Sequence, residues 1–454
     1  MLTNLRMKNF KSWADTGMLS LAPLTIFFGA NSSGKSSLLQ MLLLLKQTAE
    51  SRDRNLVLRT NAEKDGYVNL GTIPDLIHRG LKDVEFHLQW QLPDPIRLPD
   101  GERGGSNVNA LSFLTQIHID GGMAYVRLMQ YDAGDELLAR MEKLPDSQGY
   151  KVKVEVGGKE LAKQQGRPYR YVSPPTKCYG FSYEALRSYQ NSELLSDLTL
   201  AFERLFQNVF YLGPLREYPQ RIYTWAGEER PGDVGLKGDQ AIPALLAAKS
   251  QRVYRGRGRQ TLEERIAAWL VALGMADSFE VKPLVARGVQ YEVRIRRTKS
   301  SPAVPITALG FGVSQVLPVL VLCYYAPKGA TIILEQPEIH LHPSVQAGLA
   351  DVFLDVIKKR GLQLIIESHS EHFLKRLQRR VAEAAIKPEQ TAIYFCELDD
   401  DGVSQISKLE VNLFGDIANW PRDFFGDITG DMIAAAEAGI SRQIQQDGLT
   451  RDGR

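Results

Sequence analysis

The spacing of apolar and polar positions divides the chain into three stretches. At the start, residues 2–7 alternate apolar and polar, which predicts a half-buried strand, and residues 24–28 form an almost continuous apolar run, which predicts a strand buried on both faces. A glycine-rich turn over 29–34 leads into an apolar helix over 36–45. In the middle, 84–92 (VEFHLQWQL) alternates cleanly. Residues 108–120, 123–131 and 151–156 predict further strands, separated by turns such as GERGG and DGG. A helical period covers 194–210, a Gly-, Pro- and Arg-rich ordered loop covers 212–238, and a second amphipathic helix covers 262–273. The last third predicts helix 311–326, strand 331–334, helix 344–359, strand 362–367, helix 371–385 and strand 392–397. Such alternation implies a parallel sheet covered on both faces. There is no internal repeat and no long heptad run, so a long coiled coil is not expected. The polar end, 443–454, is expected to fray.

Composition narrows the class. A chain of 454 residues suggests two or three domains, and 44% hydrophobic with 24% charged residues fits a globular core. A net charge of +2 gives no whole-chain sign of a nucleic-acid or membrane partner. Three cysteines (Cys178, Cys323, Cys396) form no CxxC pair, which implies a reducing, cytoplasmic setting. The opening MLTNLRMKNF lacks the apolar core of a signal peptide. The longest apolar run, 316–326, contains Pro318 and falls short of the roughly 20 residues that span a bilayer. A soluble protein is expected.

The candidate chemistry starts at Gly29-Ala30-Asn31-Ser32-Ser33-Gly34-Lys35-Ser36, a full GxxxxGK[ST] match between an apolar strand and an apolar helix. Glycines let backbone N–H groups wrap phosphate oxygens, Lys35 neutralises the β- and γ-phosphates, and Ser36 ligates Mg²⁺. Asn31, Ser32, Ser33, Gly34, Lys35, Ser36 and Ser37 are the candidate nucleotide contacts. A second apolar strand ends in Glu335-Gln336-Pro337-Glu338, and a third in Glu367-Ser368-His369-Ser370. Carboxylates there lie at the sheet edge where open α/β sheets bind ligands. Glu335 is the candidate metal ligand; Glu335, Gln336, Glu338 and His369 are the candidate catalytic set. Gly310-Phe311-Gly312-Val313-Ser314 opens a helix whose N–H groups could receive a phosphate.

The order of these motifs resembles the ABC/SMC-like ATPases. Ile339-His340-Leu341-His342-Pro343 and Asn9-Phe10-Lys11-Ser12 resemble the prokaryotic ATPases related to the overcoming-lysogenization-defect nucleases and to RecF-like proteins. Leu70-Gly71 through Asp75-Leu76, Leu212-Gly213-Pro214-Leu215-Arg216 and the segment from Asn419-Trp420-Pro421 to Phe425 are also similar to parts of that group. The resemblance implies an ABC-type P-loop ATPase head with a mixed sheet flanked by helices. It implies four parts: an N-terminal lobe (1–80), a β-rich and helical insertion (81–300), a C-terminal lobe (301–400) and a small C-terminal module (401–454). It also implies ATP and Mg²⁺ as cofactors, Lys11 as a further nucleotide contact, and a homodimer or higher homo-oligomer. In that assembly Gly312 and Ser314 of one copy complete the phosphate site of the other, and His342 and Pro343 lie near the contact. Two departures matter. Gln336 stands where the group has its general-base glutamate, and glutamine cannot accept the proton of water at neutral pH. The residues after Glu371 are also too few for the TOPRIM nuclease domain of the nuclease relatives, which points to a separate effector protein. Asp399-Asp400-Asp401 reads as a turn.

Three basic clusters are candidates for DNA or RNA contact: Arg252, Arg255, Arg257 and Arg259 around Tyr254; Arg294, Arg296, Arg297 and Lys299; and Lys375, Arg376, Arg379 and Arg380. Three functions remain open at this point. They are an ATP-driven dimeric switch with an effector partner in anti-phage defence, a RecF-like repair ATPase that binds DNA, and a nucleotide-locked scaffold without hydrolysis.

Overall fold

The computed structural model describes residues 1–61, 66–99, 107–145, 149–164, 171–190, 192–227, 231–249, 260–286, 288–421, 424, 434–440 and 442. The Arg252–Arg259 cluster, the GERGG turn and the 443–454 tail lie outside them.

Among the described residues the chain runs β1 (Leu2–Phe10), β2 (Trp13–Asp15), β3 (Leu19–Ser20), β4 (Leu24–Gly29), α1 (Lys35–Glu50), β5 (Asp83–Arg97), β6 (Asn107–Asp120), β7 (Met123–Ala133), β8 (Glu136–Lys143), β9 (Tyr150–Val156) and β10 (Lys159–Glu160). It continues through α2 (Tyr183–Arg187), α3 (Glu193–Gln207), β11 (Val209–Leu212), β12 (Tyr223–Thr224), α4 (Ala241–Ala247), α5 (Leu262–Ala272), β13 (Ser278–Pro283), β14 (Gln290–Arg296) and β15 (Ala303–Pro305). It closes with α6 (Gly312–Tyr325), β16 (Thr331–Glu335), α7 (Pro343–Arg360), β17 (Gln363–Glu367), α8 (Glu371–Ala382), β18 (Thr391–Leu398) and β19 (Ser404–Leu409).

The sheet that carries the motifs has the order β11-β16-β17-β4-β18-β19, parallel throughout except for the antiparallel edge strand β19. Its central strands read TIFF, IIL and LII because both faces are covered. Phe27, Ile333, Ile365 and Tyr394 point to one core, with α1 and α3. Ile26, Phe28, Ile332, Leu334, Leu364 and Ile366 point to the other, with α6 and α7. The centre of helix α1, residues 38–45, is apolar except at Gln40 and buried nearly all round, as a helix between two layers must be.

The second layer is an antiparallel sheet, β10-β9-β8-β7-β6-β5-β1-β2, with β3 added to β1. The alternation in β5 is read out as alternating burial. Strand β1 pairs with β5 over Leu2↔Trp90 to Lys8↔Glu85, so the boundary expected at residue 80 runs between paired strands. Likewise β11, from inside the expected insertion, and β19, from the expected C-terminal module, complete the parallel sheet. The helical pattern over 194–210 is corrected at its end: α3 stops at Gln207, and Val209 and Phe210 belong to β11, because pairing with β16 satisfies the backbone that a longer helix would have claimed. Strands β8, β13 and β14 have no counterpart among the expected elements.

Gln363 joins the two layers. Its buried side-chain amide accepts from the Leu2 N–H (3.0 Å) and the Thr331 hydroxyl (3.0 Å) and donates to the carbonyls of Leu2 (2.7 Å) and Ala22 (3.3 Å).

Candidate nucleotide-binding site

The phosphate loop folds as its spacing requires. Gly29 has φ +142°, and a Cβ there would overlap the Cys396 carbonyl oxygen of β18. Gly34 has φ +91°, and a Cβ would press on the Trp13 indole nitrogen and the Ser404 hydroxyl. Both positions therefore need glycine. Neighbours hold the loop from outside: the buried Trp13 indole donates to the Gly34 carbonyl (3.0 Å), and Ser404 is tied to Ser12 through a hydroxyl pair (2.6 Å) and its own N–H (2.9 Å).

Asn31, Ser32, Ser33, Gly34, Lys35, Ser36 and Ser37 line one cleft of about 260 Å³ together with Ser12, Gln336, Glu367 and His369. The Lys35 ammonium is nearly enclosed and donates to the loop's own carbonyls at Gly29 (3.1 Å) and Ala30 (2.6 Å). Burial lowers its pKa, against the opposing charge of Glu367. Gln336 sits at φ +43°, a backbone strain of the kind found where a side chain must be aimed. His369 lies at the cleft rim. Partial burial, and then the Lys35 charge, hold its ring below the usual imidazole value.

The remaining expected site residues lie elsewhere. Glu335 faces away from the loop, toward β11: its Oε1 accepts from the Tyr211 hydroxyl at 3.0 Å, and Arg216 lies nearby. Glu338 is buried, and its Oε1 accepts from the Ser368 hydroxyl (2.8 Å) and the His369 N–H (2.6 Å), so it braces the end of β17. Lys11 does not line the cleft; its ammonium donates to Gln40 of α1 at 2.5 Å. Gly312 opens α6, and the Ser314 hydroxyl donates to the Phe311 carbonyl at 2.7 Å; neither lines the cleft of the same chain. His342 caps α7, accepting from the Ser344 N–H.

Three residues outside the expected set belong to this region. Ser12 lines the cleft. Glu367 ends β17 inside it, only 3% exposed. Arg216 is buried beside Tyr211, Glu335 and Glu338, with no hydrogen-bond partner at any of its three guanidinium nitrogens; burial pushes its pKa down to about 10. The signal for Glu367 is in the sequence, since it ends an apolar run as Glu335 does. Arg216 ends the Leu212-Gly213-Pro214-Leu215-Arg216 segment that resembles a known group, but nothing in that segment points to a place beside Glu335.

Burial first, and then the Glu367 charge, push the Glu335 carboxyl up to about 7 from 4.5, against the pull of Tyr211 and Arg216. The folded state therefore holds this proton more tightly than the unfolded chain does. The stability from Glu335 is full below about 4.5 and lost as pH rises through about 7. Glu335→Gln, which keeps the acceptor for Tyr211, is expected to gain about 1–3 kcal/mol over wild type at pH 8 and almost nothing near pH 4.5. Urea midpoints at the two pH values check this; equal gains at both would refute it.

The α8 cluster is not a free basic surface. Arg376 and Arg380 bond Asp351 (2.7 and 2.6 Å), Arg379 bonds Glu383 (2.7 Å), and Lys375 pairs with Glu371. Arg294 and Arg296 pair with Glu292 (3.0 Å) and Asp277 (3.2 Å).

Residues 1–79 and 269–374 match the AAA ATPase domain family, and residues 386–434 match a family described as a protein of unknown function (DUF3696). No curated protein matches. Similar solved structures include an SMC head bound to the C-winged helix domain of ScpA (13% identity, 91% of this chain and 98% of that one, TM-score 0.46). They also include the SMC head domain from Thermotoga maritima (12%, 90% and 99%, TM-score 0.42). A third is the Smc head with an extended coiled coil, bound to the C-terminal domain of ScpA, from Pyrococcus furiosus (13%, 90% and 96%, TM-score 0.44). Among the described residues no helix is long and apolar enough to cross a membrane. The two segments that match the AAA ATPase domain family, far apart in sequence, meet in the parallel sheet, where β17 lies between β16 and β4 with its phosphate loop.

Proposed function

We propose that this chain binds ATP with Mg²⁺ at the phosphate loop and acts as a slowly hydrolysing, nucleotide-driven switch. The observation that carries the reading is the single cleft formed by Gly34, Lys35, Ser36, Gln336, Glu367 and His369 at the C-terminal edge of the parallel sheet. Bound Mg²⁺ would neutralise charge on the β- and γ-phosphates. Gln336 can orient a water but cannot take its proton, which supports slow turnover.

Gly312 and Ser314 stand apart from the cleft of their own chain, at the start of a helix with exposed Phe311 beside exposed Tyr218. That supports a site completed by a second copy. Gln336→Glu is expected to raise turnover about tenfold or more, because it restores a carboxylate beside the cleft. Phosphate release, together with mass measured with and without ATP, tests the reading. Wild type that neither binds ATP nor changes mass would refute the switch, and ATP-driven assembly with no turnover would leave a nucleotide-locked scaffold.

A role with a separate effector in anti-phage defence rests on the resemblance of PEIHLHP and its neighbouring motifs. Plaque counts on cells carrying the wild-type gene against Lys35→Ala test it; equal counts would end it. The ion pairs of α8 and β14 give the DNA-repair reading no support among the described residues.

A further inference from the structure

The two strands between β11 and β4 carry two carboxylates that the sequence presents alike. Glu335 ends β16 and Glu367 ends β17, and their Cα atoms are direct partners in the parallel ladder. Their surroundings differ in kind. Glu335 is engaged from the β11 side, by the Tyr211 hydroxyl and the Arg216 charge. Glu367 is engaged from the β4 side: it shares the cleft with Lys35, Ser36 and Gln336, whose influence favours its charged form, and its backbone carbonyl accepts from the Gln336 N–H (2.8 Å). Glu367 lines the phosphate cleft and Glu335 does not. Although Glu367 is 97% buried by its 3% exposure, its Oε2 has no hydrogen-bond partner.

Building on the ATP reading above, we infer that Glu367, rather than Glu335, is the carboxylate on the metal side of this site, holding Mg²⁺ with Ser36 directly or through a bound water. A buried carboxylate oxygen without a partner is unfavourable unless something fills the position. Hard divalent cations seek such an oxygen next to a serine hydroxyl. Among the described residues no group of three or more His, Cys, Asp or Glu side chains forms a metal cage. Mg²⁺ here would take its remaining ligands from the phosphates and water, its usual habit at nucleotide sites. Neighbouring strands have exchanged roles: β17 supplies the carboxylate toward the loop, and Gln336, which follows β16, lines the same cleft and donates its backbone N–H to the Glu367 carbonyl.

The test uses the full chain, Mn²⁺ as the ion and a non-hydrolysable ATP analogue. Mn²⁺ affinity in the presence of the analogue is read by electron paramagnetic resonance, and analogue affinity in EDTA is read separately. Glu367→Gln is expected to weaken Mn²⁺ by about 10- to 100-fold while leaving the EDTA affinity within about twofold. Glu335→Gln is expected to change Mn²⁺ affinity by no more than about threefold. Glu367→Asp, which keeps the charge on a shorter arm, is expected to fall between wild type and Glu367→Gln and gives a second folded reporter. The opposite ranking, or Mn²⁺ affinity unchanged in both Glu367 variants, would overturn the assignment. Failure of the ATP reading has its own signature: wild type with no analogue affinity in either buffer overturns both.

Discussion

On the proposed ATP reading, Lys35→Ala is expected to reduce ATP hydrolysis by at least about 100-fold, since it removes the one loop side chain that would place a positive charge on the β- and γ-phosphates. The effect is large because the ammonium is almost fully enclosed and its charge acts through little solvent. The loop itself should survive. Its outer supports, Trp13 to Gly34 and Ser404 to Ser12, do not involve Lys35. The variant should therefore melt within a few degrees of wild type while phosphate release disappears. Turnover within tenfold of wild type in a well-folded variant would mean that the activity arises elsewhere.

Gln363→Leu is expected to destabilise the protein by about 3–5 kcal/mol. The substitution keeps the volume but leaves the Leu2 N–H and C=O and the Thr331 hydroxyl without their partner in a buried place, at about 1–3 kcal/mol for each stranded group. Thr331→Val removes one of these bonds together with its donor, and should cost only about 1 kcal/mol. Urea unfolding of both variants measures the difference. Equal, small shifts would show that the amide does not couple the layers. The effect should reach the nucleotide site as well, because Gln363 begins the strand that ends in Glu367.

The comparison of these two residues shows what can be read from a sequence. Lys35 is legible because its chemistry is local. Eight consecutive residues create the turn, the N–H cradle and the helix start, so spacing alone identifies them. Gln363 is illegible because its four partners come from positions 2, 22 and 331, which only folding brings together.

The same distinction runs through the whole molecule. The sequence by itself determined the parallel sheet, since the short runs TIFF, TIIL and LII alternate with helical patterns and so read as strands covered on both faces, and it determined the phosphate-loop motif and the departure at Gln336. It also marked Glu335, Glu338 and His369 as strand-end groups. Only the tertiary structure decided which way those groups face. Strand order placed β17 between β16 and β4, so Glu367 meets Ser36 while Glu335 turns to Tyr211 and Arg216. It also decided that Lys11 bonds Gln40 rather than lining the cleft, and that Glu338 braces His369 from behind. The physical reason is range: backbone preference and periodicity act over a few residues, whereas the direction and burial of a carboxylate depend on strands hundreds of residues apart.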